Sequence, residues 1–495
     1  MTTYETIIGL EVHAQILTQS KMFCGCSADY ASTPPNTHVC PVCMALPGVL
    51  PVINRVAVEK TILAGLALNC AIGPAAVFAR KNYHYADLPK GYQISQYELP
   101  LCHGGWIDVE VEIPGGTVMR PAPATTVKRI GITRAHLEED TGKLMHTGDA
   151  SLVDLNRAGV PLLEIVTEPD LRSPDEAHAY LTKLQRILRY LGVSTADMEK
   201  GAMRCEANVS VRPVGAEKFG TKVEVKNLNS FRAVKGSLDY EVARQIATLE
   251  SGGRVVQVTM GWDDERGRTV VQRTKESADD YRYFPEPDLP PLVIEPAWAE
   301  EIRARLPELP DVKVARFVHE WGLEPKDARV LAEERPVAEY FEAVVAARPA
   351  GVDLKTVANW VTGELFRLLN AADVGIEAVR ITPTAFAELL GLVSVGQLNL
   401  NSAKRVFGVM FETGRPAPET VRDLGLVQVS DADALADAVH QALAQYPSEV
   451  ARYRAGEEKL FGWLMGQVMR QTRGKGNPAM LKDLLAKALT IDDRR

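Results

Sequence analysis

Residues 8 to 13 read Ile8-Gly9-Leu10-Glu11-Val12-His13, a run in which apolar and polar residues alternate. In a β-strand, side chains two positions apart share a face, so Glu11 and His13 project together and the apolar residues project the other way. The run therefore predicts a strand with one buried face and one face that carries ionisable groups.

Three further apolar, strand-like runs carry carboxylates. They are residues 161–166 around Glu164, 204–210 around Glu206, and 223–226, where Glu224 and Lys226 share a face. A buried carboxylate needs a cation, a base or a hydrogen-bond donor, because burying it unpaired is costly. Oxygen ligands with a histidine suit Mg²⁺, and Mg²⁺ suits nucleotide phosphates. The alternative is a set of ordinary strands whose polar sides face water.

Two other segments are candidates for the same site. His136-Leu137-Glu138-Glu139-Asp140 sets three acids close behind a histidine, but it lacks the second histidine of a zinc-protease helix. Taken alone, such a run is more often a solvated turn. Residues 81–96 combine Lys81 and Lys90 with several aromatic residues, which can stack a nucleobase and meet a phosphate. A packed aromatic turn is the simpler interpretation of that segment.

Four of the seven cysteines form two close pairs, Cys24-Gly25-Cys26 and Cys40-Pro41-Val42-Cys43, separated by thirteen residues. This spacing is typical of a tetrahedral zinc site. Four sulfur ligands leave no open coordination position, so the zinc would be structural. The alternative is four free thiols. The scattered Cys70, Cys102 and Cys205 are expected to be buried thiols.

The chain of 495 residues is long enough for two or three domains. Residues 1–292 mix short strands with a few helices that do not alternate regularly, which favours an α+β domain with the zinc-binding insertion at 24–43. A proline-dense tract at 283–291 marks its end. Beyond it the pattern is helical, and a break near 397–401 predicts two helical domains, 293–400 and 401–495.

Composition narrows the class of protein. The chain is 46% hydrophobic and 24% charged with a net charge of −8, which argues against a uniformly basic surface that coats nucleic acid. A locally basic tail remains compatible with RNA binding, and its residues are Arg452, Arg454, Lys459, Arg470, Arg473 and Lys475. No signal peptide or membrane-length apolar run is evident, so a cytoplasmic protein is expected.

The familiar nucleotide motifs are missing from the sequence. There is no G-x-x-x-x-G-K-[ST] loop, no G-x-G-x-x-G turn and no G-x-S-x-G nucleophile elbow. If the chain binds ATP, it does so without a P-loop.

Several motifs, in order along nearly the whole chain, resemble the GatB family, the B subunits of glutamyl/aspartyl-tRNA amidotransferases. The resemblance is most specific in residues 1–292. It rests on the stretches 9–13, 24–51, 136–140, 156–161, 203–208, 226–231 and 280–285, and more weakly on 359–361, 466–469 and 474–478.

The resemblance implies a first domain related to the glutamine synthetase and guanido kinase fold, followed by helical domains that grip tRNA. It implies ATP-dependent phosphorylation of the side-chain carboxylate of misacylated Glu-tRNA(Gln) or Asp-tRNA(Asn), and amidation of the activated group. Ammonia would come from a separate amidase, the A subunit of such enzymes, because this chain shows no amidase signature. A small C subunit would clamp the two into a heterotrimer.

On this basis each candidate residue receives a role. Glu11, His13, Glu138, Glu164, Glu206 and Glu224 are assigned to catalysis through metal binding or phosphate positioning, the first five as magnesium ligands. Lys81 and Lys226 are assigned to neutralising the phosphates of ATP. Cys24, Cys26, Cys40 and Cys43 are expected to hold zinc. Two rival hypotheses are a stand-alone carboxylate-amine ligase and a non-catalytic zinc-containing scaffold that binds tRNA.

Overall fold

The computed structural model describes residues 3–112, 125–274, 281–426, 432–472 and 476–490. It divides into two compact units, Met1–Leu309 and Pro310–Arg495. The first unit is built on sheets and the second on helices. A chain with an α+β unit and a helical C-terminal region is what the sequence predicted.

The strands described in the first unit are β1 (Tyr4–Gln15), β2 (Ala71–Ile72), β3 (Ala75–Ala76), β4 (Phe78–Asn82), β5 (Tyr92–Gln96), β6 (Cys102–Glu112), β7 (Thr125–Glu139), β8 (Lys143–Thr147), β9 (Ala150–Asp154), β10 (Pro161–Thr167), β11 (Met203–Pro213), β12 (Val223–Leu228), β13 (Val258–Asp263), β14 (Arg268–Thr274), β15 (Phe284–Pro285) and β16 (Leu292–Val293). Its helices are α1 (Arg55–Ala67), α2 (Pro174–Tyr190), α3 (Phe231–Glu250) and α4 (Pro296–Ala304).

Nine of these strands form one large sheet in the order β14-β13-β12-β11-β1-β10-β7-β6-β2. Neighbouring strands run antiparallel except β12 and β13, which are parallel. The N-terminal strand β1 therefore lies in the middle of the sheet, although it is made first. Its neighbours β10 and β11 come from residues far along the chain.

The core of the first unit lies on one face of this sheet. Leu10, Val12 and Ala14 of β1 are fully buried there, as the alternating pattern predicted. Helix α2 packs on the same core through Leu184 and begins after Ser173, whose hydroxyl accepts a hydrogen bond from the backbone N–H of Glu176. The opposite face is thus left for the polar residues of the alternating strands.

A β-bulge changes the direction of the side chains in the middle of β7. The pairing of β7 with β10 shifts register between Ile132 and Arg134. Before the shift Ile130 and Ile132 enter the core, and after it Ala135 and Leu137 do. The bulge reverses the alternation, as bulges do, and so directs the following even-numbered residues to the polar face.

The second unit is helical wherever it is described, with a π-helical turn (Trp360–Leu365) and a 3₁₀ turn (Ile376–Ala378) among its helices. The helices are α5 (Pro310–His319), α6 (Pro325–Ala332), α7 (Arg335–Ala347), α8 (Leu354–Asn359), α9 (Phe366–Ala372), α10 (Pro383–Ser394), α11 (Leu400–Thr413), α12 (Ala417–Asp423), α13 (Ala432–Gln445), α14 (Pro447–Arg454), α15 (Leu460–Gln471) and α16 (Pro478–Thr490). None of the described helices has the length and apolarity needed to cross a membrane.

The packed cores extend past the domain boundaries that were predicted from breaks in the sequence pattern. Ile302 of α4 belongs to the core of the first unit, so that core continues past the boundary predicted at 292. A second core runs from Phe317 to Val421, beyond the boundary predicted at 400, and a third from Leu435 to Leu489. Proline tracts and breaks interrupt secondary structure, but they do not by themselves end a packed core. Arg473 and Lys475 of the predicted basic tail lie outside the described residues.

A small sheet in the order β15-β4-β5 stands beside the large one and joins residues far apart in sequence. Glu286, which follows β15, is fully buried and accepts two hydrogen bonds from Arg80 of β4, at 2.7 Å from Nε and 2.8 Å from Nη2. This bidentate pair fixes the segment around β15 against β4.

Replacing Arg80 by Met removes the cation from a buried carboxylate. We expect Arg80→Met to lower the free energy of unfolding by about 3 kcal/mol, since the remaining charge is uncompensated. Equilibrium urea unfolding of the purified chain measures this. Arg266→Met is the matched control, because Arg266 is mostly exposed and pairs with Asp263 in solvent. Equal, small effects of both substitutions would contradict the assignment.

Candidate active site

The register of three strands brings two histidines and two carboxylates together on the polar face. His13 of β1 lies opposite Glu164 of β10, which lies opposite His136 of β7. His13 Nε2 is 3.3 Å from a carboxylate oxygen of Glu164 and 3.5 Å from one of Glu138. His136 Nε2 is 3.5 Å from the same Glu164 oxygen. His13, Glu138 and Glu164 are thereby arranged as a possible metal centre, with ligand atoms all within 4.8 Å of one another.

The protonation equilibria of this centre show how strongly its groups interact. Burial, with the charge of Glu164, raises the pKa of Glu138 to about 7. Burial alone would lower the pKa of His13, but the hydrogen bond to Glu164 and the surrounding carboxylates raise it to about 9. Burial lowers the pKa of His136 to about 4. The carboxylates therefore favour a positive charge at His13. A bound cation would supply positive charge at the same place.

The remaining predicted carboxylates extend this face along β11 and β12. Glu11 lies opposite Glu206 across the β1–β11 pair and accepts a hydrogen bond from Asn208 Nδ2 at 3.0 Å. Lys226 Nζ is 2.8 Å from Glu206 and 3.4 Å from Glu224. Glu11, Glu206 and Glu224 thus share the face of His13 but are not part of the three-residue cluster among the described residues.

Neighbouring carboxylates also shift the pKa values of Glu11 and Lys226, at the edge of the centre. Burial raises the pKa of Glu11, with further contributions from Glu164 and Glu206. Burial would lower the pKa of Lys226, but Glu206 and Glu224 raise it above its usual value. Lys226 is therefore a fixed cation within a row of carboxylates.

A second β-bulge, in the pairing of β11 with β12, sets the direction of the Lys226 side chain. The pairing of β11 with β12 shifts so that Cys205 lies opposite Leu228 while Ala207 lies opposite Val225. Two residues of β12, Lys226 and Asn227, therefore stand against the single residue Glu206, and Asn227 adopts a positive φ of 59°. Such two-against-one pairing re-aims side chains near active sites.

The small sheet closes over the centre. Ser95 Oγ of β5 lies 3.2 Å from a Glu138 oxygen, and Gln93 donates to the carbonyl of Glu139 at 2.7 Å. Lys81 of β4 lies with its Nζ 5.2 Å from the ring centre of Tyr281. Burial would lower the pKa of Lys81, but Glu138, Tyr283 and Glu164 raise it. Lys81 thus supplies a second cation near the proposed ligands.

The run of residues 136–140 was a candidate for the site, but taken alone it was expected to be a solvated turn. It is instead the buried end of β7 and the residue after it, with Glu138 2% exposed. Sequence reasoning missed several other residues around the centre. Asp140 is held by Arg204 Nη2 at 2.9 Å and by Gln15 at 2.8 Å. Thr259 donates to Glu224 at 2.8 Å. Since these partners are ordinary polar residues on separate strands, no local motif distinguishes them.

The four predicted zinc ligands do come together. The Sγ atoms of Cys24, Cys26, Cys40 and Cys43 all lie within 4.8 Å of one another, and those of Cys40 and Cys43 are 3.9 Å apart. A tetrahedral zinc–thiolate site with bonds of about 2.3 Å needs sulfurs about 3.8 Å apart, so the donor set fits zinc. A hydrogen bond from Cys24, with smaller contributions that include the charge of Lys21, lowers the pKa of Cys43 to about 4.

Comparisons with known proteins cover most of the chain. A family model described as the GatB/GatE catalytic domain matches residues 6–300, and one described as the GatB domain matches 339–489. The chain belongs to the GatB family.

The curated relatives support this membership over the full length. The chain is 54% identical to the B subunit of the aspartyl/glutamyl-tRNA(Asn/Gln) amidotransferase of Roseiflexus castenholzii, covering 98% of this chain and 99% of that one. It is 53% identical to the protein of the same name from Moorella thermoacetica, over 98% of this chain and 100% of the other. The equivalent protein of Thermodesulfovibrio yellowstonii is 50% identical, over 98% and 99%. The family resemblance stated from the sequence is confirmed.

Lys21 gives a test of the cysteine site in this GatB-family chain. It is fully buried, with Nζ 3.7 Å from Cys43 Sγ and 3.3 Å from the carbonyl oxygen of Leu155. Because four thiolates with Zn²⁺ carry excess negative charge, removing this cation should weaken metal binding. We expect Lys21→Met to lower zinc affinity by about 10- to 100-fold.

Competition with a chromophoric chelator measures the zinc affinity directly, without reference to activity. Lys200→Met is the control, because Lys200 is 83% exposed and pairs with Asp197 at the surface. Zinc affinity that is unchanged in Lys21→Met would show that this lysine does not support the site.

Proposed function

We propose that this chain catalyses the ATP-dependent activation and amidation of the side-chain carboxylate of Glu-tRNA(Gln), Asp-tRNA(Asn) or both. The observation that carries the proposal is the cluster of His13, Glu138 and Glu164, buried on the polar face of a sheet and flanked by Lys81 and Lys226. Phosphoryl transfer requires this combination of oxygen ligands for Mg²⁺ and fixed cations for phosphate. Family membership supports the substrate, since the relatives are named as parts of a tRNA-dependent amidotransferase.

The first step makes the carboxylate reactive. A carboxylate oxygen of the aminoacyl group attacks the γ-phosphorus of ATP, the bond to the β,γ-bridging oxygen breaks, and ADP leaves with that electron pair. Mg²⁺ held by His13, Glu138 and Glu164 would neutralise charge on the phosphate oxygens. Lys81 and Lys226 are positioned to offset the negative charge of the transferring group.

The second step replaces phosphate by nitrogen. Ammonia attacks the carbonyl carbon of the acyl phosphate, phosphate leaves with the electrons of the C–O bond, and one proton is lost to give the amide. A buried centre protects the acyl phosphate from water. The relatives are named as B subunits, which implies an assembly of several chains. In it, an amidase A subunit would supply the ammonia, and a small C subunit would complete the heterotrimer.

ATP would enter from the Glu11 side of the centre. A cavity of about 290 Å³ there is lined by residues that include Gly9, Glu11, Asn208, Phe219 and Lys222. Lys222 offers a phosphate a positive charge, and Phe219 offers a flat ring to the base. Glu11, Glu206 and Glu224 would then order the triphosphate and its metal from one side. This placement needs no P-loop, in line with the sequence.

Other assignments complete the proposal. The large, mostly antiparallel sheet with carboxylates on one face and helices on the other supports kinship with the glutamine synthetase and guanido kinase fold. Zinc at the four cysteines would fix the loop between β1 and α1, and the helical unit would grip the tRNA. Arg470 on α15 would contact phosphate there, and Arg452 on α14 would do so by exchanging its ion pair with Glu457.

A zinc-containing scaffold without catalysis is the main rival, and a stand-alone small-molecule ligase is the other. A scaffold has no need of ionisable groups buried at high cost on one face. A small-molecule ligase has no need of the helical unit, which matches the GatB domain model.

Substituting Glu164 separates catalysis from binding. Glu164→Gln keeps the shape of the side chain but removes the charge that faces His13 and His136. We expect kcat for amidation by the assembled enzyme to fall by at least about 100-fold and the Mg²⁺ concentration for half activity to rise. Affinity for tRNA should stay unchanged.

Glu168→Gln is the matched control, because Glu168 follows the same strand but is exposed and bonded to Thr133. ATP cleavage and amide formation are scored together. If Glu164→Gln supports amidation at the rate of the control, the scaffold hypothesis is correct and the proposed catalytic role is wrong.

A further inference from the structure

A second cavity, separate from the proposed ATP cavity, opens beside the carboxylate centre. It has a volume of about 240 Å³ and is lined by Val77, Ala79, Tyr97, Glu98, Leu99, Tyr283, Phe284 and Pro285. Its walls are largely apolar and aromatic, and Tyr97, Leu99 and Phe284 are 46%, 52% and 44% exposed. Large side chains exposed together in one concave place indicate a binding surface.

Ring stacking and backbone hydrogen bonds hold the aromatic wall of this cavity in place. The rings of Tyr97 and Tyr283 stack with centroids 4.2 Å apart and planes 6° apart. Tyr283 is held because the backbone before it is anchored: Asn82 Nδ2 donates to the carbonyl oxygens of Tyr281 and Arg282, at 3.2 Å and 2.8 Å. Arg282 is held there at a positive φ of 44°. The stacked pair therefore gives the cavity an ordered aromatic wall.

Strand alternation places the cavity next to the metal centre. On the β4–β5 pair, Lys81 lies opposite Gln93 and Ala79 lies opposite Ser95. These residues share one face, and Ser95 reaches Glu138. Tyr97 is the first residue after β5 and lies two positions beyond Ser95, so it is within about 7 Å of Ser95 along the chain. The cavity therefore begins two residues beyond Ser95, the residue that contacts Glu138.

A positive charge stands over the aromatic wall. The bulge in β7 directs Arg134 to the polar face, where its guanidinium carbon lies 5.6 Å from the ring centre of Tyr97. Arg134 also donates to the carbonyl oxygen of Tyr97 at 3.4 Å. A flat aromatic wall with an adjacent arginine is the arrangement that stacks a base and holds the neighbouring phosphate.

We infer that this cavity receives the 3′-terminal adenosine of the aminoacyl-tRNA. The inference rests on the proposed function: the carboxylate to be phosphorylated is joined to the terminal ribose through a few bonds only. Whatever holds that ribose and its base must lie within a short distance of the metal centre. The adenine would pack against the rings of Tyr97 and Tyr283 that line the cavity, and Arg134 would meet the last internucleotide phosphate. Glu98 would face the ammonium group that the aminoacyl ester carries.

The test measures equilibrium binding of uncharged tRNA to the assembled enzyme, without ATP. Two forms of the tRNA are compared, the full-length molecule and one that lacks its terminal adenosine. For the unsubstituted enzyme we expect removal of the adenosine to weaken binding roughly tenfold, the scale of one base stacked on an aromatic side chain. For Tyr97→Ala we expect full-length tRNA to bind roughly tenfold more weakly and removal of the adenosine to cost nothing further.

Two further variants serve as controls for the loss of the Tyr97 ring. Tyr97→Phe keeps the ring and should behave as the unsubstituted enzyme. Trp106→Ala removes an aromatic ring from a similar arrangement, with Arg129 5.0 Å from its centre, on strand β6. It should leave the adenosine dependence intact.

The inference is overturned if the unsubstituted enzyme does not sense the terminal adenosine, or if Tyr97→Ala senses it equally well. A selective rise in KM for ATP in Tyr97→Ala, with the adenosine dependence preserved, would assign the cavity to ATP and also overturn it. Because this binding cycle involves no chemistry, its failure is distinguishable from failure of the proposed function, which the Glu164→Gln rates report.

Discussion

The antiparallel pairing of β1 with β10 and β11 is the constraint on which the rest of the first unit depends. It sets His13 opposite Glu164 and Glu11 opposite Glu206, while Leu10, Val12 and Ala14 pack into the core. Because side chains alternate with a period of two, a slip of one residue would exchange the two sets and bury the ionisable groups among apolar ones. The hydrophobic pattern that forms the core therefore also fixes the register of the site.

This arrangement buries two carboxylates in one place, which is unfavourable for the stability of the folded chain. Glu138 and Glu164 are buried beside each other, and nearby cations and polar groups compensate them. Among the described residues these are His13, His136, Lys81 and Ser95. Groups held in this way weaken the folded state, and in the proposed function they would receive Mg²⁺ and phosphate without reorganisation. The small β15-β4-β5 sheet contributes Lys81 and Ser95 and also carries the Tyr97–Tyr283 wall, so it joins the chemistry to the surface from which the substrate would approach.

The sequence predicted the parts of this site that follow a regular local pattern. Alternation identified β1, β10, β11 and β12 with their carboxylates, and cysteine spacing identified the four thiols that come together. It did not identify residues 136–140 as a buried strand, because a bulge at Ile132–Arg134 breaks the alternation before them. Nor could it identify Ser95, Asn208 or Thr259, whose roles arise from pairing between distant strands. Their polar side chains are ordinary until the fold brings carboxylates within 3.2 Å of them.

The central claim is that His13, Glu138 and Glu164 hold the divalent cation that contacts the γ-phosphate of ATP. Pulsed electron paramagnetic resonance of the zinc-loaded enzyme with Mn²⁺ in place of Mg²⁺, in the presence of a non-hydrolysable ATP analogue, tests it most directly. We expect one Mn²⁺ to show both a nitrogen coupling from an imidazole and a phosphorus coupling from the nucleotide, and we expect His13→Ala to remove the nitrogen coupling. Phosphorus coupling without any imidazole nitrogen in the unsubstituted enzyme would contradict the claim.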